Sequence, residues 1–343
     1  MPGQPSPKAI HETSVRPMEK LLLSIAIGDY DQTRDVVSGA VPVDGVRLLP
    51  LHMSVEEMFH RASTYREFDI SEMSMGRYSA MRARDDKSIT AIPVFVLRVF
   101  RHSMIYVRTD SSIDSLKQLE GRRIGVPEWA QTATVYSRSL LTHEAGVPLT
   151  SIKWFQAGVN DPGREEKVDI ELPPGLTLTR VTDRSLNDML LAGDLDAVLS
   201  ARAPVAFGHG IRRLFDPYEP VEEAYYRKTG IYPIMHAIVV RTELIERHPW
   251  LAMNLLDAFE EAKRRSIERL SDVTAPHAPF PWIAPYAERM RALFGDDFWP
   301  YGVDKNRRTL EAFLQFAHEQ GVCRRKLAPE DLFPPNVLTR YKV

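Results

Sequence analysis

Five cationic or proton-carrying residues, Arg98, Arg101, His102, Arg202 and His236, fall in or beside apolar runs instead of among solvated charges. Guanidinium forks hold carboxylates through paired, charge-assisted hydrogen bonds. Imidazoles move protons near neutral pH. Asp29, Glu72 and Glu128 supply carboxylates that could accept a proton or orient a histidine, and Tyr30 and Trp129 offer faces for a flat ring. Thr132, Thr134 and Ser200 add hydroxyl and backbone donors. The chemistry these types share is recognition of a flat anion and delivery of a proton to it. Each has a blander reading: an arginine in an extended segment commonly closes an ion pair, and His236, inside Tyr232–Val240, is by default a core histidine with its hydrogen bond satisfied.

The elements that must position these residues are legible as short apolar runs closed by Gly, Pro or polar residues. Leu21–Ile27 predicts a strand ending at Gly28-Asp29-Tyr30, and Phe68–Ile70 a strand opening into a loop, Ser71–Ser74. Ile124–Val126 predicts a strand whose turn carries Glu128 and Trp129 into a helix starting near Gln131 or Thr132, and Asp196–Ser200 a strand followed by Arg202. A strand feeding a helix N-terminus is an anion site, because the first helical N–H groups lack partners. Two longer apolar stretches, 89–107 and 231–241, bracket a middle region with its own strands and helices. The expected fold is therefore α/β, with largely parallel sheets in two lobes. Lobe 1 is 20–107 plus 236–343, lobe 2 is 108–235, and two crossing strands join them. Residues 1–19 are expected to form a flexible tail, and the C-terminal part to be helical over Trp250–Leu270, Tyr286–Phe294 and Arg307–Gln320. Ligands in such sheets sit beyond the strand C-termini, here between the lobes.

Bulk properties narrow the function. A chain of 343 residues with a formal net charge of −2 offers no basic footprint for nucleic acid or an anionic membrane. No run approaches the length of a membrane span, and Leu21–Ile27 is too short for a secretory core, so a cytoplasmic protein is expected. Cys323 is the single cysteine, incidental despite Arg324, Arg325 and Lys326 beside it. No phosphate loop, dinucleotide glycine pattern, zinc-protease motif or hydrolase elbow occurs. Neither a metal nor an organic cofactor is expected; the partner is a small aromatic carboxylate, and a homo-oligomer is left open.

Taken together, Gly28-Asp-Tyr-Asp-Gln-Thr-Arg34, Phe68–Ser74, Ala91–Phe95 with Phe100–Ser103, Arg123–Glu128, Pro162–Lys167, Ser200–Pro204, Gly230–His236 and Trp299–Gly302 resemble the 4,5-dihydroxyphthalate decarboxylase family over about residues 21–335. The resemblance implies a type II periplasmic-binding-protein-like fold used for catalysis. It also implies conversion of 4,5-dihydroxyphthalate to 3,4-dihydroxybenzoate (protocatechuate) and CO2 in aromatic catabolism. On that reading His236 or His102 protonates the ring, Glu72 or Asp29 accepts the phenolic proton, and Arg202 with Arg98 or Arg101, aided by Thr132, holds the carboxylates. The alternatives are a non-catalytic anion-binding protein, as a transport receptor or sensor, and a decarboxylase of a different aromatic acid.

Overall fold

The structure, a computed structural model, describes residues 19–339; the tail expected at 1–19 lies outside the described residues apart from Glu19. Among the described residues eleven strands form two sheets. They are β1 (Leu21–Ala26), β2 (Val46–Leu51), β3 (Ile70–Ser74), β4 (Ile89–Arg98), β5 (Ile105–Arg108), β6 (Arg123–Val126), β7 (Lys153–Gln156), β8 (Leu178–Arg180), β9 (Ala197–Leu199), β10 (Ile211–Arg213) and β11 (Ile234–Arg241). The first sheet runs β2-β1-β3-β11-β4 and the second β10-β5-β9-β6-β7-β8. In each sheet a run of neighbouring strands is parallel, β2-β1-β3 in the first and β9-β6-β7-β8 in the second, and β6 and β9 are buried on both faces. The chain leaves the first sheet between Arg98 and Ile105 and returns between Arg213 and Ile234. The returning strand β11 inserts antiparallel between β3 and β4.

The apolar stretch 89–107, expected as one strand, is two strands in different sheets. A short turn at His102–Met104 breaks it, so Ile105–Val107 pair with β9 and β10 and not with the first sheet. Ser71–Ser74, expected as a loop, is the body of β3, where β1 and β11 claim its backbone groups. Strands β7 (Lys153-Trp-Phe-Gln156) and β10 (Ile211-Arg-Arg213) had no clear sequence pattern, because charged and polar residues interrupt them.

Arg98 pins both crossings. It ends β4, lies opposite Ile234 at the start of β11, and donates to the carbonyls of Tyr232 and Pro300 and to Asn306 Oδ1. Around it, Phe100, Tyr225, Tyr226, Tyr232 and Phe294 pack as an aromatic cluster.

The strand C-termini of the two sheets face each other, and Gly76 sets how closely. Its N–H donates to Thr132 Oγ1 at 2.9 Å, which also bonds Ser74 Oγ at 2.9 Å. A Cβ on Gly76 would stand 2.2 Å from the Ala130 carbonyl oxygen, a backbone atom that cannot swing aside. Gly76→Ala is therefore expected to force the two sides apart and lower stability by about 1–3 kcal/mol, read as a shift in the urea midpoint.

Candidate active site

Strand parity builds the centre of the site. In β3, Glu72 and Ser74 share one face, and the antiparallel register sets His236 opposite Ser74 and Ile238 opposite Glu72. Glu72 and His236 are thus diagonal neighbours on that face. His236 Nδ1 lies 2.5 Å from Glu72 Oε1, to which the Tyr30 hydroxyl donates at 2.8 Å, and the Gly28 N–H donates to Oε2 at 2.9 Å. A Cβ at Gly28 would lie 2.7 Å from the Tyr30 ring, so glycine leaves the space in which that ring folds back to reach Glu72.

Glu72 is fully buried. Burial pushes its carboxyl up, but the bonds from His236, Gly28 and Tyr30 outweigh that and hold it below the ordinary 4.5. The anion in turn raises the Tyr30 hydroxyl, burial again being the larger cause. An ionised Glu72 only accepts, which assigns the proton of the His236 Nδ1 contact to the imidazole. Nε2 is left as the working nitrogen, and the ring is further fixed edge-on to Phe59 at 4.9 Å between centroids.

His236 lines a cleft of about 550 Å³ between the two sheets. Ser74, Arg77 and Arg101 also line it, as do Glu128, Gln131 and Thr132 from the turn after β6, Ser200 and Arg202 from the turn after β9, and Arg164, Glu166 and Lys167 from a long loop. The structure thus gathers His236, Arg101, Glu128, Thr132, Ser200 and Arg202 around one space, with Glu72 and Tyr30 directly behind the histidine. Arg202 is 69% exposed at its side chain and pairs with Glu56 at 3.0 Å. Arg101 is buried, its Nε 3.1 Å from Met235 Sδ, and burial brings its guanidinium down to about 10, still charged at neutral pH.

The other expected residues lie elsewhere. Asp29 is exposed and off the cleft wall. Arg98 is spent on the carbonyls of the crossing. Trp129 is fully buried: Arg138 stacks 3.7 Å from its ring centroid, and its indole N–H donates to the Gln320 carbonyl. The Thr134 hydroxyl donates to the carbonyls of Glu128 and Gln131 and is buried. Cys323 is also buried, which pushes its thiol up to about 12 in spite of the neighbouring arginines.

His102 is off the cleft wall, packed against Phe215 and Tyr225, and its Nδ1 has no hydrogen-bond partner among the described residues. Burial lowers it from 6.5 to about 4. The unfolded chain therefore takes up a proton near pH 6.5 and the folded chain only near 4. The stability this residue confers is complete above about pH 6.5 and drains away towards pH 4, by ~3 kcal/mol at the limit. His102→Phe is expected to flatten the dependence of the urea midpoint on pH across that window.

Arg77, Arg164 and Glu166 were not singled out from the sequence. Arg164 and Glu166 sit in a polar stretch with Gly and Pro that reads as a surface loop. It folds back instead. Glu166 accepts the N–H groups of Trp129 at 2.5 Å and Ala130 at 3.3 Å, so the chain's own carboxylate fills the turn expected to bind an external anion. Arg164 bridges Glu128 and Glu56 at 2.6 and 3.2 Å. The one available signal was that Pro162–Lys167 is among the segments carrying the family resemblance. Among the described residues no group of three or more His, Cys, Asp or Glu side chains could hold a metal ion, and no helix is long and apolar enough to cross a membrane.

Two α/β sheets with facing strand ends, joined by two adjacent crossings and lined with cations, define a two-lobe protein of the type II periplasmic-binding-protein-like class. Solved structures agree. The periplasmic aliphatic sulphonate binding protein SsuA from Escherichia coli superposes with a TM-score of 0.52 at 12% identity, over 93% of this chain and 99% of that one. The desulfurization enzyme DSZB gives 0.52 at 17% identity, over 93% and 98%. No family model matches. A 4,5-dihydroxyphthalate decarboxylase of Comamonas testosteroni is 39% identical over 330 residues, covering 95% of this chain and 100% of that protein. One from Pseudomonas putida is 40% identical over 194 residues, 56% of this chain and 75% of that protein. The chain belongs to the 4,5-dihydroxyphthalate decarboxylase family.

Proposed function

We propose that this chain is a carboxy-lyase that converts 4,5-dihydroxyphthalate to 3,4-dihydroxybenzoate and CO2 without a cofactor, in the catabolism of aromatic acids. The observation that carries the mechanism is the imidazole of His236 on the cleft wall, with Nδ1 anchored on the buried Glu72 carboxylate. Breaking the ring–carboxylate bond leaves an electron pair that needs somewhere to go. A ring hydroxyl para to the carboxylate solves this: as it loses its proton, its electrons push into the ring and the carbon bearing the carboxylate is protonated. Protonated His236 delivers that proton from Nε2 while Glu72 stabilises the imidazolium. The bond to CO2 then breaks, its electrons restore the aromatic ring, and the hydroxyl regains a proton. The substrate itself provides the electron sink, so the reaction calls for no organic cofactor.

Arg101 holds the departing carboxylate next to His236, with Thr132 and Ser200 as hydroxyl partners. The halves 20–107 with 236–343, and 108–235, act as jaws that exclude water and strengthen these contacts. Glu72 does not take the phenolic proton, since His236, Tyr30 and Gly28 already occupy both of its oxygens, and Asp29 lies off the cleft wall. The enzyme is read as cytoplasmic, in keeping with a lone buried thiol.

The test is direct. Purified protein incubated with 4,5-dihydroxyphthalate should release CO2 and 3,4-dihydroxybenzoate in equal amounts. Binding without turnover would make the chain an anion receptor, and neither binding nor turnover would assign the cleft to another acid.

A further inference from the structure

The mechanism needs a base for the ring hydroxyl, and among the described residues three carboxylates line the cleft, Glu56, Glu128 and Glu166, with Glu72 buried behind His236. Glu56 is half-exposed and spent on Arg164 and Arg202. Both oxygens of Glu166 are occupied by the N–H groups of Trp129, Ala130 and Lys167 and by the Gln156 amide. Glu128 differs. It is 8% exposed, and Arg164 fixes a single oxygen, with Nε at 2.7 Å and Nη2 at 2.6 Å from Oε1. Its other oxygen, Oε2, accepts no hydrogen bond among the described residues. A buried carboxylate locked through one oxygen and open through the other has the form of a positioned base.

Its placement suits the substrate. Glu128 comes from the turn after β6 in the second sheet, and His236 from β11 in the first, so the two flank the cleft from opposite sides. We propose, resting on the decarboxylase reading above, that Glu128 takes the proton of the ring hydroxyl para to the departing carboxylate. The O–H proton passes to Glu128 as His236 protonates the ring carbon. When the carbon–carbon bond breaks, its electron pair returns to the ring, the oxygen becomes a phenolate, and Glu128 hands the proton back. The net proton consumed is the one from His236, replaced from solvent. Glu166 stands behind this base. Its own carboxyl is raised by burial and then by the charge of Glu128. Arg77, which feels both carboxylates, and Arg164 keep the pair compatible with an anionic substrate.

The assignment also makes Glu128 a determinant of specificity. Phthalate, which lacks the hydroxyl, should bind and not react.

The test compares wild type with E128Q and E128D on two substrates: 4,5-dihydroxyphthalate, and an analogue with fluorine beside the reacting hydroxyl, whose phenol is already more acidic. E128Q should lower kcat on the first substrate about 10²–10⁴-fold, the usual range for a lost general base. E128D, which keeps the carboxylate, should recover part of that. On the fluorinated substrate the gap between wild type and E128Q should narrow several-fold, up to about tenfold for one pKa unit of phenol acidity, because a better acid depends less on the base. A purely structural role would leave that gap the same on both substrates. An unchanged gap, or E128Q within a few-fold of wild type, overturns the Glu128 assignment and leaves the decarboxylase reading standing. Wild-type inactivity on 4,5-dihydroxyphthalate overturns both.

Discussion

His236→Ala should lower turnover of 4,5-dihydroxyphthalate about 10²–10⁴-fold, the usual worth of a positioned general acid, while the substrate still binds. The expectation follows from where the imidazole sits. It lines the cleft, and its Nδ1 rests 2.5 Å from a carboxylate that is fully buried and held below its ordinary range. That carboxylate is itself fixed by Tyr30 and Gly28, so ring orientation and tautomer are both set before substrate arrives. Removing the imidazole removes the proton donor and leaves the cations that grip the substrate. His102→Ala is the control: away from the cleft wall and already neutral at pH 7, it should leave kcat within a few-fold. Single-turnover rates with an independent binding measurement would separate the two parameters. If kcat survives in His236→Ala, proton delivery must come from elsewhere in the cleft.

Arg101→Met should raise KM about 10–100-fold, with a smaller change in kcat, and should leave the substrate-free protein as stable as wild type or more so. The guanidinium is buried, and Met235 Sδ is the only hydrogen-bond partner it has among the described residues. The Glu222 carboxylate acts on it only through space and makes no ion pair with it, so burial leaves a desolvation cost that an arriving carboxylate can offset. A charge-assisted hydrogen bond is worth about 1.5–3 kcal/mol, which sets the size of the KM effect. Methionine fills much of the same volume without the charge, so the fold gains what binding loses. Arg202→Ala should change KM far less, since its side chain is 69% exposed and already paired with Glu56. Equal effects at Arg101 and Arg202, or a destabilised Arg101→Met protein, would count against a buried anion seat at Arg101.

Much of the architecture was readable before any coordinates. Short apolar runs closed by glycine, proline or polar residues marked β1, β6, β9 and β11, because a strand buried on both faces must be apolar along its length. The helices after residue 250 followed from their 3.6-residue periodicity. Part of the strand-end set followed too, Glu128, Thr132, Ser200 and Arg202 but not Asp29, Trp129 or Thr134, since parallel strands that alternate with helices present their C-termini to a common edge. The ordered set of family segments added the chemistry.

Three choices were left to tertiary structure. Arg98 and Arg101 are three residues apart in one apolar stretch, yet one closes on backbone carbonyls and the other faces the cleft. The break between β4 and β5, which no local pattern announced, turns them in different directions. His102 and His236 look alike in sequence, but only His236 stands diagonal to a carboxylate, a relation set by the register of β11 on β3, more than 160 residues apart in the chain. Glu166 and Arg164 lie in a polar loop with no periodicity; backbone donors at Trp129 and Ala130 hold Glu166, and the Glu128 carboxylate holds Arg164, all some 36 residues away. Periodicity reports which residues are buried; which neighbour each one meets is set by register and by how distant segments close on each other.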